Sequence, residues 1–365
     1  MIKEGKFGPQ EGVWLIVITV CAKIFYTSPS MVSAIVGTAG WYMTLISASV
    51  ALLGFTFIYM LLKSFPGKDI IEIFEITLGP YIGFIFSSML AIAMLYIASI
   101  RMREFLEVVK VYILPITPMP LILVLFLISV VVLNMLGIET LARLSKLTSY
   151  GMVAGFFIVI MLAWQNYNVN NLFPVFGYGI KETLYHGFIR SSTYGEVIII
   201  AVFAPCFQGA KYIKKVGYTG LISSAFFISL ALLSFTLTFP YHVGMEIVSP
   251  MYEMAALIDY GRFLQRVDPI FLFIMGISSI ISVSTMFCAF ISIYCKMFAM
   301  QDTKPVILGG TIIVFSLALF QSSISDVVFE SVQNIRNYGG LFFYVLPVIS
   351  LIAAKSRKKG VKKNA

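Results

Sequence analysis

The chain has 365 residues, of which 59% are hydrophobic and only 12% are charged, with a formal net charge of +9 and a mean hydropathy of +0.94. About a quarter of the residues in soluble domains are charged, so this composition excludes an ordinary soluble protein and predicts a polytopic membrane protein. The basic excess does not indicate a nucleic-acid-binding surface, because six of the cations lie in the last eleven residues and are typical of a tail beside anionic lipid.

Ten apolar runs follow one another along the chain and predict about ten transmembrane helices. No linker rich in Pro, Gly or Ser separates them, so we expect one all-α membrane domain, residues 1–354, and a basic cytosolic tail, 355–365. With the amino terminus inside, the inner segments hold about twice as many lysines and arginines as the outer ones, which places both termini in the cytosol. The runs are 13–36, 41–62, 82–100, 119–137, 148–164, 195–210, 219–239, 270–294, 306–321 and 339–354.

The first run is interrupted near its middle. Lys23 lies about ten residues into it, where a charge is costly, and Ser28 followed by Pro29 is a helix-start signal. This pattern predicts one helix ending near Ala22 and another beginning near Pro29, with unpaired backbone between them. Within a membrane such backbone is tolerated where it lines a cavity, and inverted-repeat transporters bind their ligands there. A continuous helix kinked at Pro29 is the alternative.

Two further segments extend the helical pattern. Residues 69–76 combine three acids with an apolar face, which predicts a short amphipathic helix lying at the membrane interface. Beyond the third run, the helical pattern continues to the LPITP sequence at 114–118. The third helix is therefore expected to be long and tilted, with its charged part at the outer mouth.

The sixth run contains a second candidate interruption at Pro205, which removes a helical hydrogen bond. A proline by itself indicates only a kink. In a chain of two inverted halves, 13–164 and 195–354, the sixth run is the counterpart of the first, and paired interruptions point to a central ligand site. The sequence therefore predicts a five-plus-five inverted repeat with broken helices 1 and 6.

Residues at the two interruptions and on two neighbouring runs are the candidate ligand-binding residues. Half-helix ends favour the charged groups of an amino acid, and serine or threonine hydroxyls can donate hydrogen bonds to it, although they also serve as small residues in helix packing. The candidates are Ala22, Lys23, Phe25, Tyr26, Thr27 and Ser28 in run one, Tyr96 and Ser99 in run three, Phe203, Ala204, Pro205, Phe207 and Gln208 in run six, and Ser282 and Thr285 in run eight.

Charged residues at the same place are candidates for a gate or an ion pair. Glu196 is expected to pair with Arg103 or Arg101 of the third helix, with an ordinary interfacial carboxylate as the alternative. Lys23 is either a fixed cation in the pathway, in place of a coupling ion, or a structural tether to helix-end carbonyls. The sequence has no CxxC pair, histidine cluster, phosphate loop or catalytic constellation, so we expect no metal, no cofactor and no enzymatic activity.

Four stretches carry a resemblance to a known family: KFGPQEG before the first run, FPGKDIIEIFEITLGPYIG, the LPITP sequence, and YGE at the start of the sixth run. In order and spacing they resemble the spore germination permeases, the B-type subunits of germinant receptors, within the amino acid–polyamine–organocation superfamily. The resemblance covers essentially the whole chain. It implies a ten-helix inverted-repeat fold in the spore inner membrane, with partner subunits of the A and C types. Lys23 departs from amino acid permeases, which usually have small residues there.

Two functions are compatible with the sequence. In the first, the chain is a sensor that binds a small-molecule germinant, an amino acid being favoured, at the centre of helices 1 and 6 and signals to partner subunits. In the second, it is a secondary transporter for an amino acid or an amine. The sequence does not identify the ligand.

Overall fold

A computed structural model describes residues 5–261, 267–320 and 330–357, and nearly all of this part is helical. Most of the predicted tail, 355–365, lies outside the described residues. The helices are α1 (Pro9–Cys21), α2 (Ser28–Val36), α3 (Gly40–Ser64), α4 (Ile70–Leu78), α5 (Pro80–Tyr112), α6 (Met119–Leu136), α7 (Ile138–Leu162), α8 (Ile180–Ile189), α9 (Ile199–Val202), α10 (Ala210–Thr238), α11 (Tyr241–Gly244), α12 (Pro250–Ala256), α13 (Asp268–Met297), α14 (Lys304–Phe320), α15 (Gln333–Gly340) and α16 (Leu346–Ser356).

Shorter helical segments of other types connect several of these helices. The 3-10 segments are Ala22–Phe25, Gly37–Ala39, Ala163–Asn166, Val169–Leu172, Arg190–Ile198 and Ala204–Cys206, and a π-helical segment, Leu341–Val345, joins α15 to α16.

Helix α1 lies inside the bundle. Residues 15–21 are all buried, and the helix packs against α7, α10 and α13. A helix that is apolar on every face is stable only when protein surrounds it, which is the position that α1 occupies. Its last turn therefore ends in the interior of the protein rather than at its surface.

Seven helical stretches of the described chain are long and apolar enough to cross a membrane. The first, sixth and ninth predicted runs are not among them as single long helices: α1 has 13 residues, α14 has 17, and the sixth run is a succession of short 3-10 and α segments. The ten-helix count, and the interpretation of α1 and α2 as halves of one broken helix, therefore stay predictions. The seven stretches are Ser28–Ser64, Pro80–Tyr112, Met119–Leu136, Ile138–Asn166, Ala210–Thr238, Phe271–Met297 and Glu330–Ser356.

The prediction of a long third helix is confirmed. Helix α5 has 33 residues and ends at Tyr112, directly before the LPITP sequence. At 1.5 Å per residue it is about 50 Å long, well above the ~30 Å of a bilayer core. It begins after Gly79, whose φ of +95° glycine adopts without a Cβ clash, and Pro80 occupies a first helical position that suits proline.

Helix α4 forms where the amphipathic pattern predicts it, but its apolar face is covered by protein. Ile70, Ile73 and Phe74 are fully buried, and the helix packs against α5 and α16. At its carboxyl-terminal end, the Thr77 hydroxyl lies 2.8 Å from that of Ser350. The expectation that this helix lies on the membrane interface is therefore wrong for its apolar face, because α5 and α16 bury that face instead.

The amino-terminal end of α4 is fixed by Asp69. One carboxylate oxygen accepts hydrogen bonds from the backbone N–H groups of Ile71 and Glu72, each at 2.9 Å, and the other lies 2.9 Å from the Lys296 ammonium at the end of α13. Asp69 thus caps α4 and links it to α13.

We predict that Asp69→Ala lowers the free energy of unfolding by about 2 kcal/mol or more, because both the cap and a largely buried ion pair are lost. Asp69→Asn keeps the cap and should have a smaller effect. Thermal unfolding of the purified protein measures both changes. The matched control is Glu72→Gln in the same helix, whose pair with Lys68 is solvent-exposed and contributes about 0.5 kcal/mol or less. An Asp69→Ala effect no larger than that of the control would contradict the prediction.

Candidate functional site

The chain changes conformation between α1 and α2. Helix α1 ends at Cys21, residues Ala22–Phe25 form a 3-10 turn, and α2 begins at Ser28 with Pro29 in its first turn. These bounds follow the helix-stop and helix-start signals of the sequence. The turn is buried, so its polar groups need partners from neighbouring elements.

Hydroxyl groups supply most of these partners. Each lies on a different element, so the turn contacts α5, α13 and the segment before α12 at once. The Ser249 hydroxyl donates to the Phe25 carbonyl at 2.7 Å, the Tyr26 hydroxyl donates to Ser279 of α13 at 2.7 Å, and the Thr27 hydroxyl donates to the carboxylate of Glu104 on α5 at 2.6 Å.

A cluster of buried charges lies at the same turn. The Lys23 ammonium contacts both carboxylate oxygens of Glu196, at 3.0 and 2.9 Å, and also donates to the Thr193 carbonyl. The Arg101 guanidinium binds the same carboxylate from α5. Lys23 and Glu196 are each about 1% exposed. One carboxylate therefore neutralises two cations from different parts of the chain.

Arg101 also closes the end of α1. Its other terminal nitrogen donates to the Thr19 carbonyl at 2.8 Å and to the Ser282 hydroxyl at 2.9 Å, and Ser282 itself donates to the Thr19 carbonyl at 3.2 Å. Carbonyls in the last turn of a helix lack intrahelical partners and accept such side-chain donors. The candidate residue Ser282 thus lies at the charge cluster.

The segment Arg190–Ile198 brings Glu196 to the cluster. It is 3-10 helical over nine residues and packs against α15 and α3. Gly195 permits this packing, because a Cβ there would lie 1.9 Å from a ring carbon of Phe343. The glycine of the YGE sequence therefore has a steric reason, and substitution by any larger residue would displace the segment that carries Glu196.

Further charged side chains surround this cluster. Arg336 on α15 is within electrostatic reach of Glu196, Arg101 and Glu104, and it also acts on Arg190. All of these side chains are buried. Among the described residues, four cations (Lys23, Arg101, Arg190 and Arg336) accompany two carboxylates (Glu104 and Glu196), so the formal charge of the cluster is positive.

A cavity of about 10 Å³, room for roughly one water molecule, adjoins the cluster. It lies between α2, α3, α10 and the Arg190–Ile198 segment, and aliphatic side chains line most of it. The polar residues in its lining are Lys23, Ser28, Thr44, Arg190, Thr193 and Arg336.

Of the two arginines considered as partners of Glu196, Arg101 forms the ion pair and Arg103 does not. Arg103 pairs instead with Glu107 on its own helix, and one of its nitrogens donates to the Ala318 carbonyl of α14 at 3.2 Å. Residues two apart on an α-helix point in directions about 200° apart, so only one of the two arginines can reach Glu196. The assignment of Arg103 to the ion pair with Glu196 is therefore corrected.

The stretch Phe203–Gln208 does not meet the turn after α1. Phe207 packs edge to face on Phe7, which precedes α1, with ring centroids 5.0 Å apart, and it approaches Gly12 in the first turn of that helix. The turn and this stretch thus lie at opposite ends of α1, and Thr193–Glu196 faces the turn instead. A proline marks a local change of backbone but not which segment packs beside it, which is why Pro205 was misleading.

The individual positions in that stretch differ. Ala204 is buried, Pro205 is half-buried and Gln208 is exposed. Phe203 lines a separate cavity of about 310 Å³ next to Asn134 and Ser292.

Three other candidates lie away from the cluster or have their hydroxyls already bound. Tyr96 is half-buried and lines a groove between α5 and α15. The Ser99 hydroxyl donates to the Tyr96 carbonyl at 2.8 Å, and the Thr285 hydroxyl donates to the Ile281 carbonyl at 2.7 Å, each within its own helix. These bonds fit a role of small polar residues in helix packing.

Sequence reasoning missed Glu104, Thr193, Arg190 and Arg336 as members of this region. Glu104 follows Arg101 by three residues, a spacing that puts both on one helix face, and this signal was available. The two arginines were counted as cations of outer segments, and only the packing of α15 on Arg190–Ile198 shows that they are buried.

We predict that Glu196→Gln lowers the free energy of unfolding by about 3–5 kcal/mol, because it leaves Lys23 and Arg101 buried without their carboxylate. The double variant Lys23→Met/Glu196→Gln should lose less than the sum of the two single changes, with a coupling energy of about 1 kcal/mol or more. Thermal unfolding of the four proteins measures the cycle. Additivity within about 0.5 kcal/mol would show that the contact contributes nothing to stability.

Comparison with known proteins places this fold and chain. The family model described as spore germination protein, or spore permease, matches residues 8–327. Spore germination protein KB of Bacillus subtilis (strain 168) is 22% identical over 361 residues, which cover 96% of this chain and 95% of the relative. Spore germination protein A2 of the same organism is 23% identical over 86% of each chain.

Two solved transporters share the fold. A Na+-coupled sialic acid symporter in a substrate-bound outward-open state aligns with a TM-score of 0.69 at 11% identity, over 99% of this chain and 92% of that one. A single-residue mutant of the Eremococcus coleocola manganese transporter aligns with a TM-score of 0.62 at 13% identity, over 97% and 81%. With seven apolar stretches of spanning length and a family match over most of its length, the chain belongs to the spore germination permeases, a family of integral membrane proteins.

Proposed function

We propose that this chain is the germinant-sensing membrane subunit of a spore germination receptor. It binds a small molecule, best an amino acid, beside the turn that follows α1, and it passes a conformational change to partner subunits of the A and C types. The buried cluster of Lys23, Glu196 and Arg101 is the observation that carries this proposal.

The chemistry of the turn suits a zwitterion. Helix α1 ends there with carbonyl groups, which favour an ammonium group, and α2 begins there with N–H groups, which favour a carboxylate. Buried charges in a membrane protein are costly and are usually functional. Because the contacts of Lys23 join the turn to Thr193 and Glu196, a ligand that separates these elements changes the energy of the whole cluster.

A secondary transporter is the second candidate, and the fold shared with two solved transporters supports it. Uptake of radiolabelled amino acids into vesicles that contain the purified protein separates the two functions. A sensor binds without concentrating the label, whereas a transporter driven by an ion gradient accumulates it. Accumulation above the external concentration would replace the sensor proposal by the transporter.

We predict that Lys23→Met lowers the ligand concentration that gives a half-maximal germination response. The substitution keeps the aliphatic stem but removes the contacts that tie the turn to Thr193 and Glu196, so the resting arrangement is weakened relative to the responding one. A difference of about 1.4 kcal/mol between the two states changes their ratio tenfold. Germination of spores carrying the variant, followed over a range of ligand concentrations, measures the shift.

Lys63→Met, at an exposed lysine in the last turn of α3, is the control for this measurement. It removes the same charge outside the cluster and should leave the response unchanged. If Lys23→Met accumulates normally in the membrane and responds at the wild-type concentration, Lys23 is a structural tether and does not set the resting state.

The proposed location is the spore inner membrane, with both termini in the cytosol, so Lys181 on α8 should face the outside. Lys181 is exposed, which makes it suitable for labelling. A cysteine introduced there, in a background without the four natural cysteines, is expected to react with an impermeant reagent added from outside. Reaction only from the cytosolic side would reverse the topology.

A further inference from the structure

The cavity beside Lys23 has a lining with an unusual charge. Three cations line it, Lys23, Arg190 and Arg336, and none of the described residues that line it is a carboxylate. Lys23 is already bound to Glu196 and to the Thr193 carbonyl. The two arginines are the cations whose binding capacity is not used up.

Both arginines are buried, with 4% and 5% of their surface exposed, and both have free donor capacity. One terminal nitrogen of Arg190 donates to the Gln333 side chain, but its Nε is buried and has no hydrogen-bond acceptor. The Arg336 guanidinium makes no hydrogen bond or ion pair within the described part of the chain, although its backbone carbonyl accepts from Ser192 at 2.6 Å. Buried donors without acceptors are destabilising, and proteins retain them mainly where a ligand completes them.

A helix terminus adds to the attraction for an anion. Ser28 and Pro29, the first residues of α2, also line the cavity, so the positive end of a nine-residue helix points to the same place as the two guanidinium groups. Arg190 and Arg336 also repel each other, and a negative charge between them would relieve that repulsion.

We propose that this cavity is the subsite for the carboxylate group of the ligand, with Arg190, Arg336 and the first turn of α2 as its partners. The inference rests on the proposed function, and it narrows the ligand class from any small molecule to one that carries a carboxylate. Guanidinium groups suit this role because their N–H donors match both oxygens of a carboxylate.

The size of the cavity has a consequence for the mechanism. A volume of about 10 Å³ admits roughly one water molecule and not an amino acid, so this arrangement of the helices is closed. Binding requires α2 to separate from the Arg190–Ile198 segment. The carboxylate therefore favours an open arrangement by its charge, which links recognition of the ligand to a change of conformation.

The test uses the full chain in lipid nanodiscs with sodium gluconate as the salt. Thermal stabilisation is measured first with an equimolar mixture of the twenty L-amino acids and separately with D-glucose, D-fructose and inosine. Any amino acid that stabilises the protein is then titrated calorimetrically against its own carboxamide. We expect amino acids to bind and the carboxamide to bind at least about tenfold more weakly, because the amide carries no negative charge.

Variants assign the contact to the two arginines. Arg190→Gln and Arg336→Gln should each weaken binding of the amino acid at least about tenfold, whereas Arg336→Lys, which keeps the charge but loses the planar donors, should have an intermediate effect. The matched control is Arg103→Gln with Glu107→Gln, which removes a buried guanidinium together with its partner elsewhere on α5 and should bind like the wild type. If a glutamine variant does not fold, the carboxamide comparison on the wild-type protein still decides.

The outcomes separate this inference from the proposed function. Equal binding of acid and carboxamide, wild-type affinity in both glutamine variants, or stabilisation only by the sugars and inosine would overturn the carboxylate subsite and leave a ligand-binding sensor. Stabilisation by sodium chloride or sodium phosphate in place of gluconate, lost in the arginine variants and not displaced by amino acids, would make it a site for inorganic anions and also overturn the inference. No stabilisation by any of these probes would reject both proposals.

Discussion

The middle of this protein depends on the carboxylate of Glu196, which neutralises Lys23 from the turn after α1 and Arg101 from α5. Neither cation is tolerated in an apolar interior without a counter-charge, since removing a charge from water costs several kcal/mol. Their positions are in turn fixed by backbone carbonyls, those of Thr193 and Thr19. The irregular segment that carries Glu196 and the interruption after α1 therefore stabilise each other, and neither would be stable alone in this environment.

The same constraint explains why so many hydroxyl groups meet at the turn. Non-helical backbone in a membrane protein must find its hydrogen-bond partners within the protein. Ser249, Tyr26, Thr27 and Ser282 supply them from elements that are distant in sequence. Each of these contacts also joins two elements, so the turn is connected to most of the structure that surrounds it. A small molecule that opens the turn would therefore act on several helices at once.

The sequence predicted features that depend on neighbouring residues and failed where packing decides. Lys23, Ser28 and Pro29 located the ends of α1 and α2 to within two residues, because helix-start and helix-stop signals are local. The partner of the turn was wrongly taken from Pro205, since the contact with Thr193 and Glu196 depends on how the Arg190–Ile198 segment packs. The charge rule for membrane topology treated Arg190 and Arg336 as exposed, and it carries no information on burial. The stop of α5 before LPITP was predictable from proline alone.

Helix α5 has a mechanical consequence through its length. Arg101 and Glu104 hold it at the charge cluster, and its other end, at Pro80, lies 21 residues away, about 30 Å at 1.5 Å per residue. A rotation of about 5° about the cluster would displace that end by roughly 3 Å over this length. The displaced end adjoins α4, which α16 and Lys296 also hold. A rigid lever of this kind converts a small rearrangement of charges inside the bundle into a movement at the opposite surface, large enough for a neighbouring subunit to detect.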